Sequence, residues 1–273
     1  MLNQQSGDIM QVIYEPKGKA REYSPLALNI YNGCDHLCKY CYVQTSMGVN
    51  QFNGVKPRKD LLKAIESDCR NNEITKQVLL SFTGDPYCNE DINIGLTRKV
   101  LEILLKYQIP VAILSKGGNR CLRDLDLFKQ FDNIKVGATL TFDNNEHSKY
   151  YEPGAANPDE RFETLKILHE YKIKTFVSLE PVFSEEQTLN IINMTYPFVD
   201  HFKIGKLNHY KVRKEVDWKS FLNNSVNLCL SLNKEFYIKE DLWAFNDSLD
   251  INNKYLNKDY LCLKKENLAN KLF

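Results

Sequence analysis

Three closely spaced cysteines stand in the stretch NGCDHLCKYCY, which runs from Asn32 to Tyr42. Cys34, Cys38 and Cys41 follow the pattern CxxxCxxC, directly after an apolar run that is typical of a buried strand. Three thiolates in one loop can each bind one iron of a cubane cluster, which leaves the fourth iron without a protein ligand. The spacing therefore predicts a [4Fe-4S] cluster with one open coordination position.

A structural zinc site is the alternative for this loop. The three cysteines together with His36 would offer three sulfurs and one nitrogen, a common composition for structural zinc. His36 lies between two of the cysteines, however, where its ring could reach the same ion only by straining the loop. Structural zinc sites also tend to consist of two separated ligand pairs. The spacing favours the cluster, and it leaves a zinc-stabilised nucleic-acid-binding protein without catalysis as the alternative function.

Length and composition indicate a folded protein with a large core. The 273 residues are 43% hydrophobic and 26% charged, which excludes a disordered chain. Because 36 Lys and Arg balance 35 Asp and Glu, binding to nucleic acid would depend on a local patch. No signal-peptide pattern and no membrane-length apolar run is found, so no membrane association is expected. The cysteines are expected to be free or metal-bound in a cytoplasmic protein.

Strand-like and helix-like segments alternate along most of the chain. Six short apolar or β-branched runs are predicted as buried strands, and they are 26–30, 78–82, 111–115, 136–141, 176–179 and 202–204. Between them, apolar residues recur at helical spacing. The alternation predicts an α/β fold in which helices cover the outer face of parallel strands, as in a partial or complete barrel or a doubly wound sheet.

Three parts of the chain are expected from this pattern. They are an N-terminal arm (1–25), a barrel (26–206) and a C-terminal extension packed on the barrel (207–273). The arm carries Lys17, Lys19 and Arg21, which is more typical of a solvated surface than of a ligand site. The extension contains one helical stretch and the strand-like sequence EFYIK at 235–239.

The cysteine motif and two flanking stretches resemble the radical S-adenosylmethionine (radical SAM) superfamily and, within it, the spore photoproduct lyase group. The superfamily has an aromatic residue before the third cysteine, here Tyr40. The group has stretches similar to CYVQTSMG at 41–48 and EPGAANPDER at 152–161. The likeness extends over 26–205. It implies a partial (β/α)6 barrel similar to a TIM barrel, a [4Fe-4S] cluster, S-adenosylmethionine (AdoMet) as cofactor and a reducing partner such as flavodoxin or ferredoxin.

The resemblance also implies cofactor contacts near the carboxyl ends of the strands. The candidates are Tyr40, Thr83, Gly84, Asp85, Ser115, Lys116, Thr141, Arg161 and Glu180. Asp85, in FTGDPY, could pair with the methionine ammonium, and Ser115 and Lys116 with the carboxylate or the ribose of the cofactor. Plain turns are the alternative for both stretches. Arg161 is alternatively a surface residue near the start of a helix, and Glu180 follows a strand at the predicted barrel mouth.

One position departs from the relatives that reverse thymine photoproducts. Their hydrogen-donating cysteine precedes a Thr-Ser-Asp run, and here Phe82 stands at that place. A phenyl ring cannot donate a hydrogen atom, so lesion repair is not predicted. Cys88 is a candidate donor, with an incidental buried cysteine as the alternative. Tyr42 is a candidate for radical transfer or for packing beneath the cluster.

Nucleic acid is a candidate substrate because the resembling group acts on DNA. Basic and aromatic residues of the extension suit phosphates and unstacked bases, and they are Lys211, Arg213, Lys214, Lys219, Tyr210 and Trp218. Interleaved acidic residues make an ordinary solvated face an equal alternative. The predicted function is thus reductive cleavage of AdoMet to a 5′-deoxyadenosyl radical, which abstracts hydrogen from an unidentified substrate.

Overall fold

A computed structural model of the protein describes residues 11–43, 54–208, 210 and 216–263, without the side chains of 253 and 254. The strands in these ranges are β1 (Leu26–Leu28), β2 (Tyr31–Asn32), β3 (Lys56–Pro57), β4 (Val78–Leu80), β5 (Val111–Ser115), β6 (Ile134–Thr139), β7 (Lys174–Leu179), β8 (His201–Ile204) and β9 (Glu235–Ile238). The α-helices are α1 (Leu61–Asn71), α2 (Asn89–Ile94), α3 (Leu96–Lys106), α4 (Leu125–Phe128), α5 (Asn145–Tyr151), α6 (Pro158–Glu170), α7 (Glu185–Thr195), α8 (Trp218–Ser231) and α9 (Glu240–Trp243). Short 3-10 helices lie at Gly18–Glu22, Gly118–Asp124 and Asn253–Leu256.

Seven parallel strands form the central sheet, in the order β1-β4-β5-β6-β7-β8-β9. Six of them confirm the strands predicted from apolar runs. The seventh, β9, lies in the EFYIK stretch and pairs with β8 in parallel, so the segment after 206 adds a strand to the sheet itself. A small antiparallel pair, β2 and β3, was not predicted because each strand has only two residues and shows no periodicity.

The sheet is an open barrel whose edges are β1 and β9. These edges do not pair with each other within the described ranges. The N-terminal arm crosses between them. Tyr14 forms an antiparallel bridge with Ala27, and the Glu22 carboxylate accepts hydrogen bonds from the Tyr237 hydroxyl at 2.9 Å and from the Glu240 amide at 2.7 Å. Because the Glu22 carboxylate is buried and accepts both hydrogen bonds from the region of β9 and α9, it holds the arm against the sheet.

Apolar side chains on the outer face of the sheet pack beneath the helices. Two buried clusters result, one under α1 and α3 and one under α7 and α8. Each large apolar side chain buried there contributes roughly 1.5–3 kcal/mol. The helix α6 begins as its sequence indicates, because the Asn157 side chain accepts from the Glu160 amide at 2.8 Å and Pro158 occupies the first turn.

The amino ends of β6 and β7 carry cations rather than apolar side chains. Lys135 is fully buried, with its Nζ 3.1 Å from Asp259 Oδ2, and Lys174 Nζ lies 2.7 Å from Asp259 Oδ1. Burial lowers the pKa of Lys135 to about 8, although Asp259 opposes that effect. Burial alone would raise the pKa of Asp259, but the neighbouring cations, Lys135 first, lower it to about 2.

No helix in the described ranges has both the length and the apolar character needed to cross a bilayer.

Candidate active site

The carboxyl ends of the strands surround a cavity of about 560 Å³. All three motif cysteines face it. The residues predicted for the site that line the cavity are Cys34, Cys38, Cys41, Tyr40, Tyr42, Thr83, Gly84, Asp85, Ser115, Lys116 and Glu180. Of the described residues predicted for the site, Thr141, Arg161 and Cys88 are not part of this lining. Parallel strands thus bring together side chains that lie far apart in the sequence.

The cysteine loop is fixed by main-chain contacts with the turn that follows α5. The Lys39 amide donates to the Tyr151 carbonyl at 2.9 Å, and the Gly154 amide donates to the His36 carbonyl at 3.0 Å. A Cβ atom on Gly154 would collide with the main chain of Asp35, so this packing needs glycine. Main-chain contacts therefore hold the loop independently of its cysteine side chains.

Burial makes the thiols of Cys34 and Cys38 weak acids. It raises the pKa of Cys38 to about 12, and it raises the pKa of Cys34 well above its ordinary value. A thiolate at either position is unfavourable unless a cation compensates its charge, and bound iron provides that compensation. The donor set therefore fits a soft metal centre that keeps its ligands deprotonated.

His36 is not placed to complete a zinc site. It is fully buried, its Nδ1 lies 3.4 Å from Asp85 Oδ2, and its Nε2 lies 3.2 Å from Arg120 Nη1. Within the described part of the chain, no three His, Cys, Asp or Glu side chains converge closely enough to hold one metal ion. A tetrahedral zinc site needs that convergence. A cubane instead needs three thiols, each on its own iron, and all three cysteines line the same cavity.

Asp85 links the loop after β4 to the loop after β5. Its Oδ1 accepts from Ser115 Oγ at 2.6 Å and from the Tyr87 amide at 2.8 Å, and its Oδ2 accepts from the Lys116 amide at 2.7 Å. Because both oxygens are already bonded within the protein, the carboxylate mainly shapes the cavity wall. Gly84 has a packing role as well, since a Cβ atom there would lie 2.5 Å from the Gly33 carbonyl oxygen.

Glu152 lies behind the cysteine loop and was missed as a site residue. Its carboxylate is fully buried and accepts from Arg161 Nη2 at 2.6 Å and from the Tyr40 hydroxyl. Burial alone would raise the pKa of Glu152, but Arg161 and then Lys116 reverse that effect and lower it. Its position at the start of the EPGAANPDER stretch was the available signal, which sequence reasoning used only for the resemblance.

Arg161 contacts the Glu152 carboxylate and Thr141 contacts Tyr40, and neither residue lines the cavity. The Arg161 side chain is 1% exposed and donates also to the main-chain oxygens of Ala156 and Thr139, at 2.8 and 2.9 Å. The surface alternative for Arg161 is therefore wrong. Thr141 Oγ1 lies 3.2 Å from the Tyr40 hydroxyl.

The family model described as the Radical SAM superfamily matches residues 28–195, more than half of the chain. The chain belongs to the radical SAM superfamily. Uncharacterized protein MJ0683 of Methanocaldococcus jannaschii is 29% identical over 182 residues, which cover 66% of this radical SAM chain and 70% of that protein. Uncharacterized protein ORF301 of Acidianus two-tailed virus is 28% identical over 171 residues, 58% of this chain and 56% of its own length.

Two solved structures of radical SAM enzymes share the fold. Streptococcus suis SuiB bound to S-adenosylmethionine superposes with a TM-score of 0.62 at 14% identity, and the match covers 83% of this chain and 53% of SuiB. A spore photoproduct lyase mutant superposes with a TM-score of 0.64 at 12% identity, covering 84% of this chain and 79% of the lyase. The chain thus spans about half the length of SuiB.

Another part of the cavity wall is polar, and some of it comes from the N-terminal arm of this radical SAM protein. Glu180 accepts from the Tyr23 hydroxyl at 2.9 Å and from Lys239 Nζ at 2.6 Å. Lys19 Nζ donates to Asn208 at 3.0 Å and to Asp241 at 2.6 Å. Sequence reasoning missed this wall because these hydrogen-bonded partners are 59 to 222 residues apart and share no motif. The basic pattern of the arm predicts a solvated surface, whereas Lys17 and Lys19 line the cavity.

The candidate hydrogen donor Cys88 and the candidate radical-transfer residue Tyr42 differ in position. Cys88 is 1% exposed within the apolar core, and burial raises the pKa of its thiol to about 12. Its side chain is therefore separated from the cavity. Tyr42 lines the cavity and donates to the Phe82 carbonyl at 2.8 Å, so it is the better placed of the two.

Much of the predicted nucleic-acid patch lies outside the described residues, namely Lys211, Arg213 and Lys214, as do 44–48 of the CYVQTSMG stretch. Lys219 forms an ion pair with Asp247. Tyr210 packs on Tyr151 and Phe183, with ring centroids 6.2 and 5.6 Å away.

Proposed function

We propose that this protein is a radical SAM enzyme that holds a [4Fe-4S] cluster on Cys34, Cys38 and Cys41 and cleaves AdoMet reductively. The observation that supports the proposal is the single cavity on which all three cysteines and the polar loops after β4 and β5 converge. When bound, the reduced cluster supplies the electron that converts AdoMet into methionine and a 5′-deoxyadenosyl radical, which takes a hydrogen atom from a substrate.

The residues of this chain would bind and orient the cofactor. Lys116 provides an ammonium group for the methionine carboxylate, and the loop 81–85 provides oxygen atoms for the methionine ammonium. Tyr40 lines the cavity beside the cysteines, and Ser115 holds the loop that carries Lys116 through its bond to Asp85. Glu180 bonds to Tyr23 of the N-terminal arm and to Lys239, which favours a contact with substrate over the predicted contact with AdoMet.

Nucleic acid is the proposed substrate class. One spore photoproduct lyase structure is complexed with a dinucleoside spore photoproduct, whereas one SuiB structure is bound to a precursor peptide. The aromatic group of Tyr151, Phe183 and Tyr210 supports the first class, because unstacked bases pack on such rings. Photoproduct repair itself is not proposed, since Phe82 replaces the hydrogen-donating cysteine.

A cytoplasmic reductant, flavodoxin or ferredoxin, completes the proposal. A low-potential electron is needed for each cleavage, and free cysteines are the usual state in a reducing compartment.

Anaerobic purification tests the cluster directly. We expect a brown protein with about four irons and four sulfides per chain, and release of 5′-deoxyadenosine when a chemical reductant and AdoMet are added. A colourless protein that contains one zinc per chain would reject the proposal. Deuterium transfer from a labelled oligonucleotide to 5′-deoxyadenosine would identify the substrate class, and absence of transfer would direct the search to peptides or small molecules.

Replacement of Lys116 with methionine should weaken AdoMet binding by about tenfold or more, because a hydrogen bond to a charged group contributes about 1.5–3 kcal/mol. Iron content should not change, since Lys116 does not provide a ligand in the proposal. Equilibrium dialysis of the cluster-loaded protein measures the affinity. Lys166→Met, on the exposed face of α6, is the control for loss of a lysine. Equal affinities of wild type and Lys116→Met would contradict the assigned contact.

A further inference from the structure

The two carboxylate oxygens of Glu152 have different partners. Oε2 forms the buried ion pair with Arg161, at 2.6 Å, and also lies 3.3 Å from Ser148 Oγ. Oε1 accepts a hydrogen bond from the Tyr40 hydroxyl. The carboxylate is therefore neutralised on one side and hydrogen-bonded on the other.

Lys116 lies on the Tyr40 side of this carboxylate and forms a long ion pair with it, without a hydrogen bond. Its Nζ is 4.0 Å from Glu152 Oε1, and within the described part of the chain it donates no hydrogen bond. A charge-assisted hydrogen bond would bring the two atoms to about 2.8 Å. Coulomb attraction decreases only with the inverse of distance, so Glu152 still draws the ammonium toward this wall. The side chain is 17% exposed and lines the cavity.

We propose that the Tyr40 hydroxyl is a positioning group for Lys116. By hydrogen-bonding to Oε1 of Glu152, it competes with Lys116 for that oxygen, keeps Lys116 out of a direct, hydrogen-bonded ion pair, and leaves the N–H donors of the ammonium available to an anionic ligand group. This inference rests on the proposed function, in which that group is the carboxylate of AdoMet. It assigns Tyr40 a role through its hydroxyl that is distinct from any contact of its ring.

The surroundings of the Tyr40 hydroxyl favour this arrangement. Thr141 Oγ1, 3.2 Å away, can donate its proton to the phenolic oxygen, and the phenolic proton is then left for Glu152. The ring of Tyr40 packs at 5.6 Å from that of Phe183, which limits its rotation. Arg161 holds the other end of the carboxylate, so Glu152 cannot turn away. Within the described residues, no hydrogen bond holds the ammonium of Lys116 in place.

The test is a double-mutant cycle on AdoMet affinity, measured by equilibrium dialysis with the cluster-loaded protein. In Tyr40→Phe the freed Oε1 should accept Lys116 directly, and AdoMet binding should weaken about tenfold because that new ion pair must break. In the Lys116→Met background, the same Tyr40 change should alter affinity by less than about twofold. A Tyr40 effect of equal size in both backgrounds, or no effect in either, would overturn the inference.

Tyr31→Phe is the matched control. The Tyr31 hydroxyl donates to the buried Asp91, which pairs with Arg123, so the two tyrosine–carboxylate–arginine groups have the same composition. No lysine is paired with Asp91 in the described ranges, and Tyr31 does not line the cavity. This variant should lose stability as Tyr40→Phe does and keep the AdoMet affinity of the wild type. A similar loss of affinity in both variants would indicate a general folding effect and count against the proposal.

Reductive methylation of the wild type tests the free ammonium without a variant. Lys116 should be methylated by formaldehyde and borohydride in the cluster-loaded protein and protected by AdoMet, whereas the buried Lys135 should stay unmodified. A Lys116 that resists modification as Lys135 does would overturn the inference even if Tyr40→Phe failed to fold. Failure of the proposed function is distinguishable, since the wild-type protein would then bind no AdoMet at all.

Discussion

Cys38→Ala is expected to bind little iron and to lower reductive cleavage of AdoMet by about a thousandfold or more, because it removes a cluster ligand rather than one contact to the cofactor. Cys38 is the most deeply placed of the three motif cysteines, and burial keeps its thiol protonated unless iron is bound. Iron and sulfide content after anaerobic reconstitution and the yield of 5′-deoxyadenosine measure the effect. The same loss is expected for Cys34→Ala and Cys41→Ala.

Two other cysteines are controls for that experiment. Cys262 is exposed, so Cys262→Ala should change neither iron content nor cleavage. Cys229 lies on the buried face of α8, so Cys229→Ala should lower stability while the iron content is kept. Full iron content and wild-type cleavage in Cys38→Ala would remove the motif from the mechanism.

Sequence could predict those parts of the fold and site that depend on local patterns. The apolar runs of β4 to β8 gave the central strands, since strands buried on both faces are apolar along their whole length. The cysteine spacing gave a loop whose three thiols do face one cavity. In both cases a few neighbouring residues carry the signal.

The remaining parts depend on contacts between distant residues. Glu152 becomes a site residue only because α5 and the cysteine loop meet, with Tyr40 112 residues away in the chain. The polar wall around Glu180 depends on the arm crossing from β1 to β9, which a basic but otherwise unpatterned segment does not reveal. Arg161 resembled a surface arginine because its position near the start of α6 is locally ordinary, and only its burial shows otherwise.

Asp259→Ala should lower the free energy of unfolding at pH 7 by about 3–5 kcal/mol, because it leaves Lys135 buried without its carboxylate. Lys135→Met should cost less, below about 2 kcal/mol, since Asp259 keeps Lys174 as partner and its side chain is 17% exposed. Urea unfolding followed by circular dichroism measures both values. If Lys135→Met lowered the free energy of unfolding as much as Asp259→Ala or more, the expectation that an unpaired Lys135 costs more than an unpaired Asp259 would be contradicted.

The difference in stability between wild type and Asp259→Ala should depend on pH, because folding shifts the pKa values of Asp259 and Lys135. The pKa of Asp259 falls from 3.8 to about 2 on folding, so its contribution is present above pH 3.8 and is lost as the pH falls toward 2. The pKa of Lys135 falls from 10.5 to about 8 on folding, and it should fall further in Asp259→Ala, where the carboxylate that raises it is gone. As the pH rises through 8, Lys135 becomes neutral in both folded proteins and no longer needs Asp259. The difference in free energy of unfolding between wild type and Asp259→Ala should therefore be largest near neutral pH and become smaller toward both pH 3 and pH 9. A difference that is constant with pH would show that Asp259 contributes packing and not charge.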